Sequence, residues 1–309
     1  MKRSLDHAVR IACAVNRSYL LPLAVMLRSL QAHLRPQYKC ELYLLHTGIP
    51  DQSLAVIPST IETHSILLSK EQMSGAPRAA RFPHEASAPL LLPDLLPPAV
   101  ERVLFLDADL LVMRDVAELW ETPLDGRVVG AVGDAAVPQC AGSRGVKGWQ
   151  ALGLPPDAAY FNCGVLLIHL GRWRERHVTG RALRYLETTR EPIDFLHQEA
   201  LNAVLWDDWK SLDPCWNLLA SRAGRSFDRS GREDWKQPGI VHFAGRMKPW
   251  RTAIGGPFNT PYQRVLADVA PLMSPEPANL ADRFAGLYDR HLRCALHPLE
   301  QFLWRHRVL

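Results

Sequence analysis

The feature that most restricts the fold is an alternation of strand-like and helix-like stretches in the first part of the chain. "HAVRIACAV" (7–15) is an apolar, partly β-branched run of strand length. A helical pattern follows over 19–34, and "CELYLLH" (40–46) reads as a second strand. Asp51 is placed to cap a helix through about residue 57, before a third strand, "IETHSILLS" (61–69). Parallel neighbours need such crossovers, so the pattern predicts an α/β protein with a mainly parallel, Rossmann-like sheet flanked by helices. A proline-bounded helix at 88–96 comes next, followed by strands at "RVLFLDADLLV", "VVGAVGD" (128–134) and "YFNCGVLLIHL" (160–170). A helix from Trp173 to Arg190, a short amphipathic helix "LHQEALNAVL" (196–205) and a last strand "GIVHFAG" (239–245) complete the reading.

The strand at 102–113 breaks a rule. Leu104, Phe105 and Leu106 precede Asp107-Ala108-Asp109, and Leu110, Leu111 and Val112 follow. Unpaired carboxylates in an apolar strand are costly, and two residues apart they point to the same side of an extended chain. A capping pair on a surface loop is the bland explanation, but the apolar flanks argue against it. A hard divalent cation, Mg²⁺ or Mn²⁺, relieves the charge most simply, and diphosphate oxygens commonly fill its open positions.

In open α/β sheets the ligand crevice lies beyond the carboxyl ends of the strands. Asn16, Asp107 with Asp109, Asp134 and His242 all fall at or just after predicted strand ends, so this architecture brings them to one edge. His242 is a candidate third metal ligand, and an imidazole tilts the choice toward Mn²⁺. Lys248, beside Pro249 and Trp250, supplies charge for a phosphate. Gly245, Gly255 and Gly256 allow close approach of the backbone.

The bulk composition limits the partners. The chain has 309 residues, 47% hydrophobic and 22% charged, which suits a folded core rather than disorder. A net charge of +4 is too small to imply nucleic acid, while anionic substrates fit easily. Six dispersed cysteines without a CxxC pair suggest neither a zinc site nor a disulfide framework, so a reducing, cytoplasmic compartment is expected. No stretch approaches a membrane span, and Asp6, Arg10 and Arg17 interrupt any signal-peptide core.

The organisation expected is a catalytic domain over 1–274 and a helical tail over 275–309. From Arg283 onward the tail carries five arginines, interleaved with Phe302 and Trp304. Two readings of it stand: a helix packed on the catalytic domain, or a peripheral contact with the inner face of an anionic membrane.

"RVLFLDADLLV", "YFNCGVLLIHLGRW", "HQEALNAVL" and "VHFAGRMKPW", in this order and at these separations, resemble the signature of glycosyltransferase family 8. That family includes bacterial lipopolysaccharide galactosyl- and glucosyltransferases and the glycogenins. The resemblance spans about residues 8 to 252. It implies a GT-A type nucleotide-sugar-binding fold, a UDP-hexose donor, a Mn²⁺ or Mg²⁺ ion, and transfer with retention of configuration to a saccharide or glycolipid acceptor. By position, Asp107 and Asp109 correspond to the DxD metal ligands flanking Ala108, and His242 to the third ligand. Gly245 and Lys248 correspond to diphosphate contacts, Asn16 and Tyr19 to the loop that grips uracil, and Asn162 to the sugar-pocket asparagine. Asp134 corresponds to a carboxylate near both sugars, and Gln198 to the glutamine beneath the anomeric carbon.

Three positions depart from the pattern. The family's DQD is His197-Gln198-Glu199 here, so a sugar-binding aspartate is replaced by His197, with Glu199 or Asp194 as alternative carboxylates. Pro89 stands where an arginine is usual, and Asn16 where an aspartate is usual. Two other functions share parts of this pattern. A sugar-1-phosphate nucleotidyltransferase would need a Gly-rich phosphate loop, and "CAVNRSY" has no glycine. A non-catalytic nucleotide-sugar binder would have no need of the complete metal and diphosphate set.

Overall fold

The computed structural model describes residues 8–69, 87–221, 236–245, 248–251 and 256–273. The chain divides into two compact units, Met1–Leu272 and Met273–Leu309, and the elements below belong to the first. The predicted tail and Gly255 lie outside the described residues.

Strand β1 (Ala8–Val15) leads through a short 3-10 turn into helix α1 (Leu20–His33), then β2 (Lys39–His46) and β3 (Glu62–Leu67). Helix α2 (Ala88–Leu95) precedes β4 (Arg102–Leu106), and β5 (Leu110–Val112), α3 (Val116–Trp120), β6 (Val129–Gly133) and β7 (Phe161–His169) follow. Helices α4 (Leu170–Glu175), α5 (Val178–Thr188) and α6 (Leu196–Leu205) come next, then β8 (Trp209–Ser211), β9 (Leu218–Leu219), β10 (Ile240–His242) and α7 (Asn259–Val269).

The main sheet runs β3-β2-β1-β4-β7-β6-β8. The pairs β3/β2, β2/β1, β1/β4 and β6/β8 are parallel, and β7 alone is reversed, antiparallel to both β4 and β6. The alternating pattern therefore gives the expected α/β, Rossmann-like half-sheet. Both faces of its central strands are buried: Val9, Ile11, Leu42, Leu44, Leu104 and Leu106 on one side, and Ala12, Leu45, Val103 and Phe105 on the other, are enclosed, as the near-continuous apolar runs require.

Three expected elements differ. The strand at 102–113 is two strands in two sheets, because the chain leaves the main sheet after Leu106 and re-forms as β5 in a small sheet ordered β5-β10-β9. The helix expected from Trp173 to Arg190 is α4 and α5, divided at His177, whose φ of 50° ends one helix before the next begins. Asp51 does not cap. It lies in the first turn of a 3-10 helix, Asp51–Val56, that Pro50 precedes.

Candidate active site

The site grows from the break between β4 and β5. At the end of β4, the Asp107 N–H donates to the Gly164 carbonyl of β7 at 2.9 Å, holding the chain on the main sheet one residue longer. Two residues on, the Asp109 carbonyl accepts from Phe243 N–H at 3.0 Å, the first contact of the small sheet. The two aspartates thus stand where one sheet hands the chain to another. Register then delivers the histidine: β10 runs antiparallel to β5 with His242 opposite Leu110. One ligand atom each from Asp107, Asp109 and His242 lies within 4.8 Å of the others. His242 Nε2 is 3.6 Å from Asp107 Oδ2 and 3.5 Å from Asp109 Oδ1.

Charge at this cluster is strongly interdependent. Burial and the neighbouring Asp109 push the Asp107 carboxyl up, with His242 and Lys248 opposing. Burial would also raise Asp109, but His242 and the Lys248 ammonium beside it hold it well below the usual carboxylate range. Burial alone would depress His242, and Asp109 and Asp107 outweigh it, so the imidazole is raised. Lys248 is ion-paired to Asp109 Oδ2 and also donates to the Phe243 carbonyl at 2.9 Å. Two carboxylates and an imidazole with its Nε2 turned toward them form a donor set of the kind that Mn²⁺ accepts, and Mg²⁺ less readily.

A second group meets this one. Asp134 Oδ1 accepts from the backbone N–H groups of Ala136 (2.7 Å) and Val137 (3.1 Å). Its Oδ2 accepts from the amide nitrogens of Asn162 (2.9 Å) and Gln198 (3.1 Å). Asp134, Asn162 and Gln198, distant in sequence, are therefore one buried, hydrogen-bonded unit. Gln198 Oε1 in turn accepts from Cys163 N–H at 3.0 Å.

Other expected residues divide. Tyr19 reaches the same region, its ring 5.6 Å from Trp250 in an edge-to-face arrangement. Burial raises its hydroxyl, with the charges of Lys248 and Asp109 also acting on it. Asn16 caps the turn at Arg17–Tyr19, where its amide oxygen accepts from Ser18 N–H (3.1 Å) and Ser18 Oγ (2.7 Å). Both lone pairs of that oxygen are thereby engaged within the turn. Ala108 is buried between the aspartates, and Gly245 is exposed with φ +88°. His197 is partly buried on α6.

Glu199 does not offer a carboxylate to this site. It is fully buried and accepts from Tyr185 Oη (2.6 Å), Lys147 N–H (3.1 Å) and Asp194 N–H (3.3 Å). Asp194 is itself paired with Lys147 Nζ at 3.3 Å. Pro89 is buried at the start of α2.

Three functional positions carry no signal that sequence reasoning used. Asn217 Oδ1 lies 3.0 Å from His242 Nδ1, and its amide nitrogen donates to Asn162 Oδ1 (2.8 Å). Asn202 clasps the Phe161 backbone, accepting from its N–H at 2.8 Å and donating to its carbonyl at 2.9 Å, which docks α6 against β7. Gly164 leaves room for His242. The quoted "FNCG" and "ALN" segments contain two of these residues, and their spacing from Asn162 and Gln198 was the available clue.

A Rossmann-like sheet whose carboxyl edge gathers a DxD pair, a histidine and a lysine defines a sugar-transferring enzyme of the nucleotide-sugar-utilising GT-A class. Residues 10–253 match the model of glycosyl transferase family 8, and the chain belongs to that family. It is 26% identical over 275 residues to general stress protein A of Bacillus subtilis (strain 168), covering 83% of this chain and 92% of that one. Among solved structures, the galactosyltransferase LgtC in complex with donor and acceptor sugar analogues aligns with a TM-score of 0.71. The identity is 23%, over 87% of this chain and 98% of that one. The bifunctional glycosyltransferase WbbM aligns with a TM-score of 0.73 at 18% identity, over 88% of this chain and 53% of that one. At these identities the likeness of structure is a likeness of fold.

Proposed function

We propose that the chain is a metal-dependent, retaining hexosyltransferase that moves galactose or glucose from a UDP-sugar to a saccharide or glycolipid acceptor. The observation that carries this reading is the continuity of two groups: the Asp107–Asp109–His242 cluster and the Asp134–Asn162–Gln198 unit, joined through Asn217. The first suits a diphosphate, and the second suits the hydroxyl groups of a sugar attached to it.

Asp107, Asp109 and His242 would hold the Mn²⁺ or Mg²⁺ ion, which supplies Lewis-acid stabilisation of negative charge on a diphosphate leaving group. Lys248, aimed by Asp109 and the Phe243 carbonyl, places a second positive charge where the departing phosphate gains negative charge. Gly245, in a conformation that L side chains rarely adopt, lets backbone approach the same oxygens. Tyr19, propped by Trp250, offers an aromatic face to the uracil. Asp134 accepts and so fixes the amides of Asn162 and Gln198, which orient the sugar without competing for its protons. The acceptor hydroxyl bonds to the anomeric carbon from the face that the phosphate leaves and passes its proton to the departing phosphate oxygen, which retains configuration. His197 replaces a family aspartate, so the sugar meets an imidazole rather than a full carboxylate there.

The test is a melting-temperature screen with UDP-galactose and UDP-glucose, with and without Mn²⁺, followed by turnover with candidate acceptors. Stabilisation by at least one donor only when Mn²⁺ is present, lost in Asp109→Asn, is the expected result. No stabilisation by any UDP-sugar in Mn²⁺ would refute the reading. The arginine-rich tail is proposed as a contact with anionic lipid, checked by co-sedimentation with phosphatidylserine vesicles against neutral ones.

A further inference from the structure

We propose that Asn217 is a positioning residue that fixes the tautomer of His242, holding the proton on Nδ1 and turning the Nε2 lone pair toward Asp107 and Asp109. This rests on the metal-dependent reading above, in which Asn217 only joins the two groups, and gives that residue a role of its own.

Donors and acceptors alternate along one buried chain of side chains. Asp134, with both oxygens already receiving N–H bonds, is the acceptor end of the chain. A carboxylate can only accept, so the group that Asn162 turns to it is its NH₂. The other end of the same amide agrees: Asn162 Oδ1 accepts from Gly164 N–H at 2.9 Å, and a backbone N–H can only donate. With its oxygen toward Asn217, Asn162 requires the NH₂ of that residue, at 2.8 Å. Asn217 Oδ1 is then the atom left facing His242 Nδ1 at 3.0 Å, and only a protonated Nδ1 satisfies it. Each amide orientation is set by a neighbour that has no alternative, so the polarity runs unbroken from Asp134 to His242.

The fold supplies the placement. Asn217 ends a 3-10 helix, Pro214–Asn217, whose start Asp213 caps through Cys215 N–H at 2.9 Å. The next two residues form β9, which runs parallel to β10 with Leu219 opposite His242. Asn217 and His242 are both buried, so the hydrogen bond between them acts in a low-dielectric setting that strengthens it. A metal-bound imidazole commonly donates its other N–H to an oxygen acceptor, which sets ring orientation and raises ligand basicity.

The experiment uses the full chain labelled with ¹⁵N-histidine, first metal-free at a pH above the His242 titration and then loaded with ¹¹³Cd²⁺. Native protein is expected to show neutral His242 protonated at Nδ1, and coupling of ¹¹³Cd to Nε2. Protonation at Nε2 in the neutral form, or coupling through Nδ1, overturns the proposal. Calorimetric titration with Mn²⁺ supplies the second readout. Asn217→Leu, which can neither accept nor donate, is expected to weaken binding about 10–100-fold, and Asn217→Gln, which keeps an amide oxygen for Nδ1 and an NH₂ for Asn162, to recover most of it. Equal losses in the two variants, or Asn217→Leu within about twofold of native, would show a merely structural role and overturn the assignment. Should native protein bind neither Cd²⁺ nor Mn²⁺, the metal reading fails, while the metal-free spectrum still decides the tautomer.

Discussion

Gly164 has no side chain, and His242 occupies the space one would fill. A methyl group built on Gly164 would lie 2.3 Å from His242 Cε1, 2.6 Å from Nδ1 and 3.0 Å from Asp107 Oδ2. Because the imidazole packs between β7 and the two carboxylates, it can make room for a methyl group only by leaving its place in the cluster. Gly164→Ala is therefore expected to displace His242 and weaken Mn²⁺ binding by more than about tenfold, while the apolar sheet keeps the chain folded. Titration calorimetry measures the first effect and far-ultraviolet circular dichroism the second; native-like Mn²⁺ affinity in this variant would contradict the described packing. At this scale the aspartates were legible in the sequence, since carboxylates inside an apolar run demand a reason. Gly164, Asn202 and Asn217 were not. A glycine or an amide has no compositional mark of its role, and each acts only because register brings a distant partner against it.

Helix α6 shows how one element separates two tasks by its faces. Gln198 and Asn202, one turn apart, both turn to β7, while Glu199 turns the other way. There Glu199 ties together Tyr185 of α5, the backbone of Lys147 and the backbone of Asp194. Burial pushes its carboxyl up, and the three donors around it resist that shift. Glu199→Gln removes one of two acceptor oxygens and leaves a buried donor unmatched, at a cost of about 1–3 kcal/mol in stability. Faster hydrogen exchange at Lys147 and Asp194 is expected alongside it, with donor-sugar preference unchanged. A switch between galactose and glucose donors in Glu199→Gln would mean that this carboxylate faces the sugar after all. His197→Asp is expected to produce that switch, with UDP affinity retained, when the two donors are compared in parallel assays. The helix itself was readable from its amphipathic period. The division of α4 from α5 was not, because neither glycine nor proline stands at His177 or next to it to announce the left-handed backbone, and Gly180 lies inside α5.

Across the whole molecule, the site depends on two sheets meeting at residues 107–109. Alternating strands and helices foretold the parallel half of the main sheet, since each crossover is local. The reversed β7 and the sheet β5-β10-β9 had no such signature: their pairings join segments far apart in the chain, with ordinary strand sequences on both sides. That junction concentrates charge, and its titration reaches global stability. Asp107 is raised from its usual value to about 6 by burial and by Asp109, so between those values the native state holds a proton that the unfolded chain has released. His242, raised by Asp109 and Asp107 against the opposing effect of burial, does the same above its ordinary value. In both windows the unfolded state binds fewer protons, so the stability of metal-free protein falls as pH rises. Asp109, held low chiefly by His242 and Lys248 against burial, acts in the opposite sense only under strongly acidic conditions. A divalent cation requires Asp107 ionised and His242 neutral, so its binding displaces these protons and tightens about tenfold per pH unit for each proton released. Stabilisation by bound metal grows with the logarithm of that affinity. The melting temperature measured with Mn²⁺ is therefore expected to exceed the metal-free value by a margin that widens from about pH 5, where Asp107 holds its proton, to about pH 8. Asp107→Asn narrows the margin at every pH and flattens its slope chiefly below about pH 6, where Asp107 still carries the exchangeable proton. A margin that stays constant with pH, at fixed Mn²⁺, would mean that neither group gives up a proton when the cation binds.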